Sequence, residues 1–110
     1  MDNRPIGVFD SGLGGLTCVK ELTRLMPEED IVYFGDTARI PYGTRSRETI
    51  IKYTRQDIRF LMQSDVKLIV LACGTASSTA LEEVKNDYGV TILGVVKSAA
   101  MKAVKTTKLG

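Results

Sequence analysis

The sequence predicts an α/β protein, an open parallel sheet with flanking helices. Three observations carry this reading. Short apolar runs alternate with longer segments whose apolar residues recur at helical spacing. The first run, Ile6-Gly7-Val8-Phe9, passes straight into Asp10-Ser11-Gly12-Leu13-Gly14-Gly15, where glycines let the backbone turn tightly from strand to helix. A later run, Leu68-Ile69-Val70-Leu71-Ala72, ends in the same way, in Cys73-Gly74-Thr75.

The elements follow in order. Strand one covers roughly Pro5 to Phe9. Helix one runs from about Gly15 to Met26, with Cys18, Val19, Leu22, Leu25 and Met26 on one face, and Pro27 stops it. Strand two is Ile31-Val32-Tyr33-Phe34. A polar loop from Gly35 to Arg45 leads to Ser46, an N-cap for a long second helix in which Ile51, Thr54, Ile58, Leu61 and Met62 keep helical spacing. Strand three is Val66 to Ala72. Helix three spans about Ala76 to Tyr88, with Leu81, Val84 and Tyr88 inward and Gly89 closing it. Strand four is Val90 to Val96, and a last helix covers about Ser98 to Thr106. Repeated β-α units imply right-handed crossovers, and the expected strand order is 2-1-3-4, the flavodoxin-like arrangement. Its switch point lies between strands one and three, so the loops after Phe9 and after Ala72 flank one crevice. The chain ends just after a helix, where a further strand is expected. The exposed sheet edge left there predicts self-association, and the ending reads as a piece of a longer protein.

Composition narrows the function. The 110 residues suffice for one modest core, and 44% hydrophobic with 25% charged residues is an ordinary globular balance. The net charge of +2, with scattered basic residues, argues against a nucleic-acid or membrane partner. No apolar run approaches the ~20 residues of a membrane span, and the N-terminus lacks a signal-peptide pattern, so the expected location is cytoplasmic. Two distant cysteines read as free thiols. The chain has no histidine, which excludes a Cys-His or Ser-His pair within it and the usual zinc sites. Neither a metal nor a cofactor is expected.

Two strand tips carry the chemistry. Asp10 and Ser11 place a carboxylate and a hydroxyl at one. Cys73 places a thiol at the other, at a helix start that favours anions and draws a thiol below its reference of about 8.5. Such a thiolate serves as base or nucleophile; taken in isolation, a cysteine there reads first as a small buried core residue, as Cys18 does. Gly12-Leu13-Gly14 begins a dinucleotide-type G-x-G-x-x-G pattern that fails at Thr17, and Asp36 stands where a ribose-binding acid would. Asp10 opposes that reading, since its charge occupies the place of a pyrophosphate. The loop from Gly35 to Thr44 reads as a binding loop or as plain surface. Thr75, Ser77, Ser78 and Thr79 read as an anion site or as ordinary capping residues.

Three segments together, GVFDSGLGGLTCVKEL, YFGDTARIPYGTRS and VLACGTASSTAL, resemble the glutamate racemases of the aspartate/glutamate racemase family. The order and separation of the segments also match, and the Asp-Ser-Gly-x-Gly-Gly run points to glutamate over aspartate racemases. The resemblance runs along essentially the whole chain but covers only the N-terminal part of a family member. It implies a cofactor-independent isomerase that interconverts L- and D-glutamate for peptidoglycan synthesis. Carried over residue by residue, Asp10 and Ser11 bind the substrate amino group and assist proton transfer. Tyr42 and Gly43 shape the pocket, Cys73 is one of two catalytic bases, and Thr75 holds the substrate carboxylate beside Gly74. The implied fold is two similar α/β domains with the site between them. Residues 1–97 would form the first domain, incomplete, and residues 98–110 the crossover toward the second.

Three departures accompany the resemblance. Gly74 stands where the family usually has asparagine. Lys97-Ser98 stands where it has Glu-Pro. The Gly-Cys-Thr-His segment that carries the family's second catalytic cysteine has no match in these 110 residues. The expectation is therefore a truncated racemase, inactive alone. The competing reading is a non-catalytic module that binds a small carboxylate or nucleotide at the strand tips, and a third is a structural remnant without a ligand.

Overall fold

The computed structural model describes residues 3–10, 15–36 and 44–94, and only the backbone of 15–17. Seven elements alternate: β1 (Ile6–Asp10), α1 (Gly15–Leu25), β2 (Ile31–Gly35), α2 (Arg47–Met62), β3 (Leu68–Leu71), α3 (Gly74–Val84) and β4 (Thr91–Gly94). All strands pair in parallel, in the order β2-β1-β3-β4. That is the arrangement expected from the β-α alternation. The last expected helix, Ser98–Thr106, lies outside the described residues.

The pleat sends alternate residues of each strand to opposite faces, and each face is buried under helices. Ile6 and Val8 of β1 join Leu68 and Val70 of β3 beneath Leu22 and Met26 from α1 and the residue that follows it. Phe9, Ile69 and Leu71 point the other way, against Ile58 and Leu61 of α2 and Val84 of α3. β1 up to Phe9 and all of β3 carry no polar side chain because both faces are covered. Burial of each Leu, Ile, Val or Phe side chain contributes roughly 1.5–3 kcal/mol.

Local signals set the helix ends. The Ser46 Oγ accepts a hydrogen bond from the Thr49 N–H at 3.2 Å, capping α2 as expected. Helix α3 begins at Gly74, with Cys73 as its N-cap, two residues before the expected start. It ends at Val84 rather than Tyr88. Arg55 of α2 explains the early stop: it holds the Asp87 carboxylate at 2.8 Å and the Tyr88 hydroxyl at 3.3 Å, turning the chain away from the helix axis. Gly89, at φ +70°, completes the turn into β4. The buried face of α3 is Ala76, Ala80 and Val84, small residues that let it approach its neighbours closely. At Gly94 of β4 an added Cβ would run into the Ser77 and Leu81 side chains of α3, so any larger residue must displace them.

Candidate functional site

The C-terminal ends of β1, β2 and β3 form one edge, stitched by backbone hydrogen bonds. The Ala72 N–H donates to the Phe9 carbonyl at 2.7 Å, and the Asp36 N–H to the Asp10 carbonyl at 2.8 Å. This brings the ends of the first and third strands side by side, as the topological switch point requires. Asp10 belongs to β1 itself, one residue beyond the expected strand end.

Strand alternation then divides the side chains. Asp10 leaves the sheet on the α1 face, in step with Ile6 and Val8, and is only 3% exposed. Its charge acts on Cys18 of α1 and Tyr33 of β2, which lie on that face. Burial first, and then the Asp10 carboxylate, push the Cys18 thiol and the Tyr33 phenol above their ordinary values, so both stay protonated beside it. Cys18 is half-buried and packs against the α1-face core, in keeping with its reading as a core residue.

Cys73 leaves on the opposite face. It is 5% exposed and packs with Phe9, Leu71 and Ala76. Its Sγ accepts the Ala76 N–H at 3.4 Å, occupying the position of a capping oxygen at the start of α3. Asp10 and Cys73 thus stand on adjoining strand ends, with side chains leaving on different faces. Gly74 and Thr75 lie one and two residues further into the α3 turn. A Cβ at Gly74 would meet no atom within 4 Å, so the position that departs from the racemase pattern has open space before it. Ser11, Tyr42 and Gly43 lie outside the described residues, as do Lys97 and Ser98.

Thr75 opens onto a groove of about 560 Å³ between the start of α2 and the exposed side of α3. Arg45 and Arg47 line one wall, Thr75, Ser78 and Thr79 the other, with Ile50 and Glu82 completing it. Arg47 also reaches Glu83 at 2.7 Å, and Arg45 stacks over the Tyr53 ring at 5.3 Å. The two arginines were not singled out from the sequence. The only signal for them was their place on either side of the Ser46 cap, at the junction of the polar loop and α2. The groove offers cationic groups and hydroxyls, the complement of a small carboxylate. Among the described residues no three acidic, histidine or cysteine side chains cluster as metal ligands, and no helix is long and apolar enough to cross a membrane.

With this geometry in hand, the comparisons with known proteins are specific. No protein-family model matches the chain. Over its full length it is 53% identical to the glutamate racemase of Lactococcus lactis subsp. lactis and 52% identical to that of Streptococcus sanguinis, spanning 42% of each. Among solved structures, it superimposes on glutamate racemase from Francisella tularensis in complex with D-glutamate, with a TM-score of 0.80 and 53% identity, over 86% of this chain and 36% of that one. On the Thermus thermophilus enzyme, in complex with β-chloro-D-alanine, the TM-score is 0.83 at 50% identity, covering 92% and 40%. The chain is therefore similar throughout to glutamate racemases and spans about two fifths of their length, as the N-terminal part.

Proposed function

We propose that this chain, matching glutamate racemases from end to end, carries the first α/β half of such an enzyme's active site. Its reaction is the interconversion of L- and D-glutamate, supplying D-glutamate for peptidoglycan in the cytoplasm. The observation that carries the reading is the edge where Asp10 of β1 adjoins Cys73 at the start of α3. The Francisella tularensis relative, solved with D-glutamate, supports the substrate.

The chemistry follows from the residues. Asp10, with Ser11, holds the substrate ammonium, and Thr75 the α-carboxylate, while Tyr42 and Gly43 bound the pocket beside Gly74. The Cys73 thiolate takes the α-proton, and the electron pair of the broken C–H bond delocalises into the carboxylate held by Thr75. Inversion requires a second acid to deliver a proton to the opposite side. The chain has only two cysteines and no histidine, and Cys18 is committed to the α1 face, so that acid comes from outside these 110 residues. Residues 1–97 are assigned to the first domain and 98–110 to the crossover toward the second.

The test uses glutamate in deuterated water. Incubated with the 110-residue chain, glutamate should show no racemisation by chiral chromatography. Exchange of the α-proton, read by NMR, should be slow and limited to one enantiomer, and Cys73→Ala should abolish it. A version extended through the racemase second half should racemise. Racemisation by the short chain, or an extended version inactive even with Gly74→Asn, would overturn the reading. The groove lined by Arg45, Arg47 and Thr75 favours a second reading, a non-catalytic carboxylate-binding module. Saturable glutamate binding that Arg45→Ala abolishes, with no exchange in either version, would select it.

A further inference from the structure

Helix α3 carries Cys73, Gly74 and Thr75 at its start, so whatever fixes the helix along its axis also fixes these groups. Apolar packing alone holds that placement weakly. The buried face is Ala76, Ala80 and Val84, and small side chains make shallow ridges that resist sliding less than large interdigitating ones. The carbonyl end of a helix is electronegative and favours a cation, yet the last turn of α3 has no basic residue. Lys85, just beyond it, turns to Glu82 at 2.7 Å. Helix α2 supplies the cation. Arg55 Nη1 donates to the Asp87 carboxylate at 2.8 Å and to the Tyr88 hydroxyl oxygen at 3.3 Å, and Nη2 donates to the Glu83 carbonyl at 3.2 Å. The neighbouring carbonyls are used by the chain itself: that of Leu81 accepts the Lys85 N–H at 2.9 Å, and that of Val84 the Asp87 N–H at 3.1 Å. Three acceptors on one planar guanidinium define a position and not only an attraction. Arg47 adds a link from α2 to Glu83 at 2.7 Å, but both of those side chains are exposed, and such pairs contribute little.

We infer that Arg55 is a positioning residue for the start of α3: by clamping the C-terminal end of that helix to α2, it sets where Cys73 and Thr75 stand at the strand tips. The link is mechanical. The 11 residues of α3 form one hydrogen-bonded rod about 16 Å long, so an axial shift at one end appears at the other. At the N-terminal end the Cys73 Sγ accepts the Ala76 N–H at 3.4 Å, and the Cys73 carbonyl accepts the Ser77 N–H at 2.9 Å. A displaced helix therefore disturbs the surroundings of the thiol directly. Arg55 acts from the far end of the helix, through α3 and not on the substrate. The catalytic consequence rests on the proposed function: a misplacement of about 1 Å at a reacting group costs up to about 100-fold in rate.

The experiment reads Cys73 first, without substrate. Alkylation of the folded chain is followed by peptide mass mapping across pH, in Arg55→Met, Arg55→Lys and Asp87→Asn. Lys67→Met is the control. It breaks the pair of Lys67 with Glu29 at 2.7 Å, which joins the chain just before β3 to the chain just before β2, at the opposite end of the sheet. Urea unfolding gives the stability loss of each variant. Arg55→Met should speed Cys73 labelling severalfold and alter its pH profile, and Asp87→Asn should do the same to a smaller degree. Arg55→Lys keeps the charge but not the three-point fork, and should not restore the original rate. Lys67→Met should lose stability and leave Cys73 labelling unchanged. Where Arg55→Met does not fold, Asp87→Asn decides alone. Labelling unchanged in the Arg55 and Asp87 variants, or raised equally in Lys67→Met, would overturn the inference, since the clamp would then serve stability only. Glutamate in deuterated water is then added. Exchange of the α-proton slowed about tenfold or more in Arg55→Met supports the positioning role, and unchanged exchange counts against it. If Cys73 labelling responds but no version exchanges glutamate, the proposed function fails while the Arg55 clamp stands.

Discussion

Cys18 and Cys73 have different surroundings, and the difference is testable one residue at a time. Burial first, and then Asp10, push the Cys18 thiol above its ordinary 9.0. The folded chain therefore holds this proton more tightly than the unfolded chain does. Stability is fully present below about pH 9 and falls as pH rises from there through the folded value. Alkylation of Cys18, followed by peptide mass mapping across pH, should accordingly start later than for a free thiol. In Asp10→Asn its onset should move down without reaching the free value, because burial, the larger cause, remains. An unchanged onset would place Asp10 too far away to matter. The place of Cys73 between a strand and a helix start was legible in the sequence because a strand-to-helix turn is local, whereas its role as the cap of α3 was not, the helix beginning two residues before the expected start. Its burial was one of the two readings open in the sequence, and the packing of Phe9 and Leu71 around it decides for that reading.

At the scale of elements, α3 contrasts two glycines. Gly94 of β4 faces Ser77 and Leu81 of α3 with no room for a methyl group, the nearest approach being 2.2 Å. Gly94→Ala should therefore displace the Ser77 and Leu81 side chains and cost roughly 1–3 kcal/mol, read as a lower midpoint in urea unfolding. Gly74, in the first turn of the same helix, faces open space. Gly74→Asn should be tolerated and raise stability by a few tenths of a kcal/mol, about the difference in helix propensity between the two residues. Equal effects from the two substitutions would contradict the packing of α3 described above. Nothing in the sequence distinguishes these glycines. Gly74 carries the departure from the racemase pattern, yet its space is open, whereas Gly94 looks like an ordinary strand residue and is the constrained one. The early end of α3 is of the same kind, since Arg55 lies 32 residues from the Asp87 it holds.

At the scale of the molecule, the order β2-β1-β3-β4 puts β2 at one edge of the described sheet. Next to it, Phe60 of α2 is 53% exposed and stacks on Phe34 of β2 with ring centroids 4.6 Å apart. A strand edge beside an exposed aromatic pair favours association. Sedimentation velocity should show the 110-residue chain associating as its concentration rises, and Phe60→Lys should shift it toward monomer. Monomer at every concentration would remove this edge from consideration.

The sequence by itself determined the alternation of strands and helices, the parallel sheet and its strand order. Apolar periodicity, the Ser46 cap and the glycine turn are local signals, and the short β-α connections leave few topologies. It also placed Asp10 and Cys73 on adjoining strand ends. Only the tertiary structure decided which face each side chain takes, that Arg45 and Arg47 share a groove with Thr75, and that Tyr33 stands on the Asp10 side of the sheet. Those facts follow from the register between strands and from helices meeting across tens of residues. Pairing and packing of that range is set by the assembled core, not by any segment read alone.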